Sequence, residues 1–493
     1  MGIVRKQSTR NLIYLYIGLL FGATSVVILY PNIFNENPQN LGLLQIIIAY
    51  ATVISTFSYL GSPKVLLRFF PLIENKDKLI SLVFYISTFG FLLFGLFFFF
   101  FKDFIFAFIE APQLLINNFY LVFFMIIYLS YYEILFNLSR SILNATFPLF
   151  LSEIFRKGTS IVLLLLLWAN FISFNNFLIL YISQYLLMSI LLFFNIRKSF
   201  KFSLVYNFSG LDIGEIFKYG LFVLVGGASA MLVSKLDMMM IAKFLSLEHV
   251  AFYTIAFYMG NVIGVPARAI GSISAPLLAI ALKEHDIKKI SNLYLKSSLN
   301  QLIIGSLLFL LVWLNIDDLF MLLPEKFQGG KVVVLFIGLS QLFNISTGVN
   351  GLIITNSKFY SFDLYANIFL LFFTLFSNYI FIPDSSPLYD YGIYGINGAA
   401  FATSLSILLF NLIKMIFVYL KLRIQPFSLQ TIYTIILAFL IFFIVSGFNF
   451  EFHNIINILI RTFCVLILYI LCIYNFNISK DLKDLIKDFI NYR

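Results

Sequence analysis

The chain has 493 residues, of which 61% are hydrophobic, 19% aromatic and only 11% charged, and its formal net charge is +10. So little charge cannot coat a water-soluble protein of this length, and no stretch is polar enough to close a separate soluble domain. In a soluble chain the positive balance would point to nucleic acid. Here it sits between apolar runs and is read as a topology signal and as attraction to anionic lipid.

Apolar runs long enough to cross a hydrocarbon core of about 30 Å, at about 1.5 Å per helical residue, recur throughout. They predict spans at 11–30, 40–60, 79–101, 114–138, 149–170, 174–196, 217–241, 249–275, 297–316, 332–354, 361–382, 393–418, 429–448 and 453–474. The start, MGIVRKQSTR, is basic like a signal peptide, but no small-residue cleavage site follows, so it is expected to remain as span 1. With the N-terminus inside, Lys102, Lys243, Lys326 and Lys331 fall on outer segments, and Lys235, Arg268, Lys414 and Arg461 within spans. The other 25 of the 33 basic residues fall on segments or span ends assigned to the cytoplasm. A wrong span count would scramble that alternation from the error onward. The pattern therefore predicts fourteen spans with both termini cytoplasmic.

The longest inner connector, RKSFKFSLVYNFSGLDIGEI at 197–216, mixes aromatic and basic residues as a membrane-interface segment does. It divides an N-terminal lobe (1–196, spans 1–6) from a second lobe (217–424, spans 7–12); spans 13 and 14 follow over 425–478. Spans 2 and 8 correspond across that divide. Each carries a proline near its inner end (Pro63, Pro266), an arginine nearby (Arg68, Arg268) and a second proline (Pro71, Pro276), while spans 1 and 7 carry GATS and GGASA. Matching interruptions in two halves are the sequence pointer to a transporter's binding site. The last segment, 479–493, spaces Leu482, Leu485, Ile486, Phe489 and Ile490 as an amphipathic surface helix.

Several chemistries find no support. His249, His285 and His453 are scattered, and Cys464 and Cys472 share the last span as packing residues. QGGKVVV lacks the first glycine and the Ser/Thr of a phosphate-binding loop. No acidic pair sits on a loop large enough to hold a nucleotide sugar. Neither an enzyme nor a cofactor is expected, and uphill transport would have to draw on an ion gradient.

Two stretches narrow the class. SKLDMMMIAKFLSLEHVAFYTIAFYMGNVIGVPARAIGSISAPLL resembles spans 7 and 8 of polysaccharide-export flippases, with an Asp before a short outer loop, an aromatic-Ala helix and a terminal proline. NYIFIPDSSPLYDYGIYGINGAAFATSLSILLFNLIK resembles their spans 11 and 12 in its Ile-Pro exit, its Tyr-Gly-x-x-Gly turn and its Gly-Ala-Ala-x-Ala-Thr-Ser start. With the span count, the resemblance covers nearly the whole chain. It is to the oligosaccharide (Wzx-type, O-antigen) flippases of the MOP superfamily, which also holds the lipid II flippase and the MATE exporters.

The resemblance implies an all-α membrane protein with two six-helix lobes plus two further helices, acting in a bacterial inner membrane. It would turn an undecaprenyl-pyrophosphate-linked oligosaccharide from the inner to the outer leaflet by rocking of its halves. Membrane lipids surround it, a polysaccharide polymerase and glycosyltransferases would act alongside, and it is expected to be a monomer. It also implies a sodium site, by analogy with the lipid II flippase, at Asp237, Thr374, Asn378 and Thr403. Asn378 departs from the acid expected there, which leaves sodium, protons or no coupling ion open. The alternative is a MATE-type drug or metabolite exporter. A polymerase or ligase would need a large outer catalytic loop, and a scaffold would need no buried arginine. The glycan and its pathway stay open.

Independently, a pyrophosphate needs a cationic path, and an arginine at a span centre costs about 2.5–3.5 kcal/mol, so one that persists faces a cavity or a partner. Arg268, just after helix-bending Pro266, is the first candidate for headgroup contact. Arg68, Arg461 and Lys235 follow, with snorkelling or topology as the rival for each. Arg10 is read as topological. Lys235 and Asp237 lie two apart and point to different neighbours. Lys414 and Glu133 are read as charges near the inner ends of their spans, and Glu153, a turn before Arg156 and Lys157, as their partner in local i, i+3 and i, i+4 pairing.

Overall fold

A segment in lipid must satisfy its own backbone hydrogen bonds, which leaves helices as the elements open to these runs. The computed structural model describes residues 2–447, 453–476, 478, 479 and 483. Among the described residues every regular element is helical. The amphipathic tail expected around Leu482, Leu485, Ile486, Phe489 and Ile490 lies outside them.

The long helices are, in order, α1 (2–33), α2 (38–69), α3 (Lys76–Phe108), α4 (Phe119–Ser141), α5 (146–168), α6 (Phe174–Ser199) and α7 (Ile213–Phe244). They continue as α8 (247–283), α9 (Ile287–Trp313), α10 (331–355), α11 (Tyr360–Phe381), α12 (Gly395–Leu422), α13 (Leu429–Ser446) and α14 (Asn454–Asn475). Thirteen are long and apolar enough to cross a bilayer. The remaining one, α5, is a continuous helix of similar length whose Glu153, Arg156 and Lys157 reduce its apolar character. The chain is a multi-pass membrane protein.

Where these helices depart from regularity, the departures match in place. The α2 helix breaks after Ser58, with Gly61 at φ 72°, and restarts at Ser62 with Pro63 in its first turn. The α8 helix tightens into a 3-10 turn over Val262–Gly264 and resumes with Pro266 in its first turn. Both interruptions stand immediately before the paired prolines, as the sequence pattern anticipates. In α1 a π-helical stretch, Thr24–Leu29, follows the Gly-Ala pair, where Thr24 and Ser25 donate back to the Leu20 and Phe21 carbonyls. Such back-bonding bends helices. A third break was not anticipated: α10 stops after Ser346 and resumes at Asn350, with Gly348 at φ 61°. Ser298 and Asn411, from neighbouring helices, take up the Ser346 carbonyl and the Thr347 hydroxyl there.

Chain contacts divide the molecule into two compact units, 1–251 and 252–493. The reading of the lobes placed their boundary at the 197–216 connector; by contacts, α7 belongs with the first unit. The reason is close backbone packing of α7 on α2. A Cβ on Gly61 would stand 2.1 Å from the Gly220 carbonyl oxygen, and one on Gly220 would stand 3.1 Å from that of Leu60. Small residues allow such approach where lipid supplies no hydrophobic drive between helices. The connector is tied to the first unit too. Ser203 donates to Asp77, the Val205 amide to Ser81 and the Lys78 ammonium to the Ser209 carbonyl, while Phe202 is buried. In the second unit α12 packs on both α10 and α11, and α9 carries α8, α10 and α13.

Candidate functional site

In the second unit, α8, α9, α10, α11 and α12 enclose a cavity of about 410 Å³. Its ionisable groups are Arg268, Lys414 and Asp363, two cations against one carboxylate. Arg268 reaches it from the stretch of α8 just past the 3-10 turn, where the exposed side chain makes no ion pair among the described residues. Lys414 is buried in α12, its Nζ 2.6 Å from Asp363 Oδ1 and 4.0 Å from the centre of the Phe410 ring. The sequence reading placed Lys414 only near the inner end of its span; its acid comes from another helix, too far along the chain for periodicity to reveal. Gln301 of α9 also lines the cavity, with its carboxamide oxygen buried and without a hydrogen-bond partner. The break in α10 brings Gly348, Val349 and Gly351 to the same wall.

A polar chain runs beside this cavity. Gln341 donates to Asn261 at the α8 turn, Asn344 to Gln341 at 3.3 Å, and Asn411 of α12 to Asn344 at 3.0 Å. It links three of the helices that frame the cavity. No spacing in the sequence singled these amides out.

Arg461 of α14 is an expected headgroup residue that the structure places in an ion pair with Asp318, from the short helix Ile316–Met321. Asn457, one turn away on α14, donates to the same carboxylate at 3.3 Å. The spans 13 and 14 region also holds an apolar groove of about 340 Å³, between α9, α10 and α13, walled by Phe309, Trp313, Leu339, Phe439 and Phe442 among others.

In the first unit, Arg68 ends the restarted part of α2, with its guanidinium 4.4 Å from the centre of the Tyr219 ring on α7. Lys235 is half-buried on α7 and Asp237 buried, two residues on and so facing elsewhere. The residue missed in this unit is Arg156. A π-helical turn over Leu151–Phe155 precedes it on α5. Its electrostatic neighbours are Tyr185, Tyr181, Glu153 and Tyr132, and its charge also bears on Lys235. Beside it Lys157 pairs with Glu153 at 2.7 Å, as the i, i+4 spacing anticipates, and donates to the Gly18 carbonyl of α1 at 2.9 Å. Glu133 likewise accepts from Asn137, its i+4 neighbour. Glu153 fills the space where a Cβ on Gly18 would stand, 2.5 Å from its Oε2. Tyr181 and Tyr185, one turn apart on α6, were the available signal for a buried cation opposite.

Of the four residues that the resemblance assigned to a cation, Asp237 belongs to the first unit and Thr374, Asn378 and Thr403 to the second. The latter three are buried on α11 and α12, which pack closely: a Cβ on Gly398 of α12 would stand 1.8 Å from the Phe381 carbonyl oxygen. Thr374 Oγ1 donates to the Leu370 carbonyl, and Ser377 and Ser406 hydroxyls meet across the helix pair at 3.5 Å. Oxygen side chains of this kind suit a hard cation.

No protein-family profile matches the chain, and no curated protein matches it by sequence. Solved structures do. An inward closed conformation of the lipid II flippase MurJ matches with a TM-score of 0.68 at 15% identity, over 95% of this chain and 99% of that one. An inward-facing multidrug-resistance MATE transporter of the MOP superfamily matches at 0.63 and 13% identity, over 84% and 98%. A Pyrococcus furiosus MOP transporter, described as having a binding pocket of reverse polarity that suggests a different function, matches at 0.60 and 13%, over 85% and 96%. The chain has the fold of the MOP-superfamily transporters.

Proposed function

We propose that this chain is a flippase that turns a lipid-linked, pyrophosphate-bearing oligosaccharide, of the undecaprenyl class, from the inner to the outer leaflet of a bacterial inner membrane. The observation that carries the reading is the cavity of the second unit, lined by Lys414 and by an exposed Arg268 that makes no ion pair among the described residues. An unbalanced cation at membrane depth is retained at a cost that a phosphate offsets. A MATE-type exporter of cationic drugs would be served badly by this charge. The apolar groove between α9, α10 and α13 offers the lipid tail a place outside the polar path, so the tail never has to leave an apolar environment. Arg68 and Lys235, on the first unit, are further headgroup contacts in this reading, and Arg461 serves to hold α14 in place.

The interrupted α2 and α8 are the elements expected to bend as the molecule alternates between inward and outward access. Coupling to sodium or protons, through Asp237 in the first unit or through Thr374, Asn378 and Thr403 in the second, is part of the proposal, as is a monomeric protein with both termini cytoplasmic. A polysaccharide polymerase and glycosyltransferases would then consume and supply its substrate. The test is glycan export in cells lacking their own flippase. Arg268→Ala at normal membrane levels should abolish export, and Arg268→Lys should restore part of it. Full export with Arg268→Ala would remove the reading's basis.

A further inference from the structure

We propose that Asp363 is a displaceable counter-anion, and that a phosphate entering the second unit's cavity takes its place on Lys414. The empty site is then neutral at Lys414 and becomes a two-cation cradle, with Arg268, only when an anion arrives. The proposal takes from the flippase reading only the source of that anion; the exchange itself rests on the geometry.

The two partners of the pair are not equally committed to it. The Lys414 side chain is 8% exposed and Asp363 25% exposed. An ammonium so buried needs an anion at all times, because a charge left alone there is strongly unfavourable. Asp363 has other support. It lies in the first turn of α11, where the helix dipole favours a negative charge. Its Oδ2 also accepts from Asn367 Nδ2 at 3.1 Å. Releasing Lys414 would leave Asp363 partly hydrated, hydrogen-bonded and at a helix N-terminus. Releasing Asp363 leaves Lys414 with only the face of the Phe410 ring until a new anion arrives.

Access to Lys414 is open from the cavity side. An ammonium carries three donors, and the Phe410 ring covers one side of it. On another side stands Gly351, whose missing Cβ would lie 3.6 Å from Nζ. Gln301 adds a second polar group at the cavity: the residue is 1% exposed and its carboxamide oxygen has no hydrogen-bond partner among the described residues. A carboxamide can present either edge to a bound group, its NH₂ to a phosphate oxygen or its oxygen to a hydroxyl. The ligand class is therefore a phosphate or pyrophosphate ester. A free phosphate shares that chemistry, and the probes below separate the two.

The experiment uses the purified full chain in detergent, with geranylgeranyl diphosphate, inorganic pyrophosphate and geranylgeraniol as probes. The native protein should bind the diphosphates in a salt-dependent way, and the lipid form more tightly if the natural source is a lipid. Asp363→Asn removes the competitor and should tighten binding of either diphosphate by about tenfold. Lys414→Gln should weaken it by about tenfold, and Asp363→Asn should then have no further effect in the Lys414→Gln background. Thermal melting gives a second readout. Asp363→Asn alone should melt lower, and pyrophosphate should raise its melting temperature more than it raises that of the native protein. Unchanged or weaker binding with Asp363→Asn would overturn the proposal. If that variant cannot be purified folded, native-like binding by Lys414→Gln would overturn it equally. Diphosphate binding that follows this pattern, with no transport of lipid-linked glycan, would sustain the exchange and sink the flippase reading alone.

Discussion

Replacing Arg461 with Met separates two roles that the sequence left side by side. In the structure its guanidinium is committed to Asp318, with side chains 16% and 9% exposed. Removing one partner of a buried pair costs about 3–5 kcal/mol, because the other charge stays behind unpaired. Asp318 keeps the Asn457 bond at 3.3 Å, which places the expected loss near the lower end, about 3 kcal/mol. For a unit of this size each kcal/mol moves melting by about 2–4 °C, so Arg461→Met should melt about 6 °C lower or more. Asp318→Ala should do the same. The double variant Asp318→Asn with Arg461→Met removes both charges and should recover most of the loss, since the two sites are coupled. The assay is thermal melting of the detergent-solubilised protein, run with glycan export measured in cells. Export should follow the melting temperatures. Native-like melting of Arg461→Met together with lost export would refute this reasoning and make Arg461 a headgroup contact.

Gly398→Ala should disrupt the α11–α12 pair, since its Cβ would stand 1.8 Å from the Phe381 carbonyl oxygen; a melting temperature within a degree or two of native would show that this close approach is not needed. Asp237→Asn should lose ion-dependent export, and Thr403→Val should weaken it by removing one candidate oxygen ligand. Vesicles with and without a sodium or proton gradient test this, and equal rates for native and Asp237→Asn protein in all conditions would leave coupling to the substrate's own gradient. Reporters fused after Asn170 and Ser385 should read outside, and those after Lys283 and Arg493 inside; one reversal would break the orientation.

The spans were legible because a bilayer demands long apolar helices. The breaks in α2 and α8 were legible for a local reason: Gly61, Pro63 and Pro266 act on the backbone at or beside their own positions. The break in α10 was harder to see. Gly348 is one glycine in an apolar run, and the groups that meet its neighbours, Ser298 on the Ser346 carbonyl and Asn411 on the Thr347 hydroxyl, come from other helices. The site followed the same division. Arg268 stood out by its proline and depth, whereas Lys414 looked like a charge near a span's end because Asp363, its partner, lies on another helix. Arg156 was hidden by its neighbours in the sequence. Glu153 and Lys157 form a local pair that seemed to account for all three charges, while Arg156 itself lies among tyrosines of α4 and α6.

The central claim is that the cationic cavity of the second unit carries a pyrophosphate-linked glycan across the bilayer. Its most direct test is flipping of a fluorescent prenyl-pyrophosphate-linked oligosaccharide in proteoliposomes, followed by quenching of the outward-facing label. Native protein should bring the substrate to both leaflets, Arg268→Ala should stay at the protein-free rate, and Arg268→Lys should fall between them. Native protein no faster than empty liposomes, or Arg268→Ala as fast as native, would contradict the account.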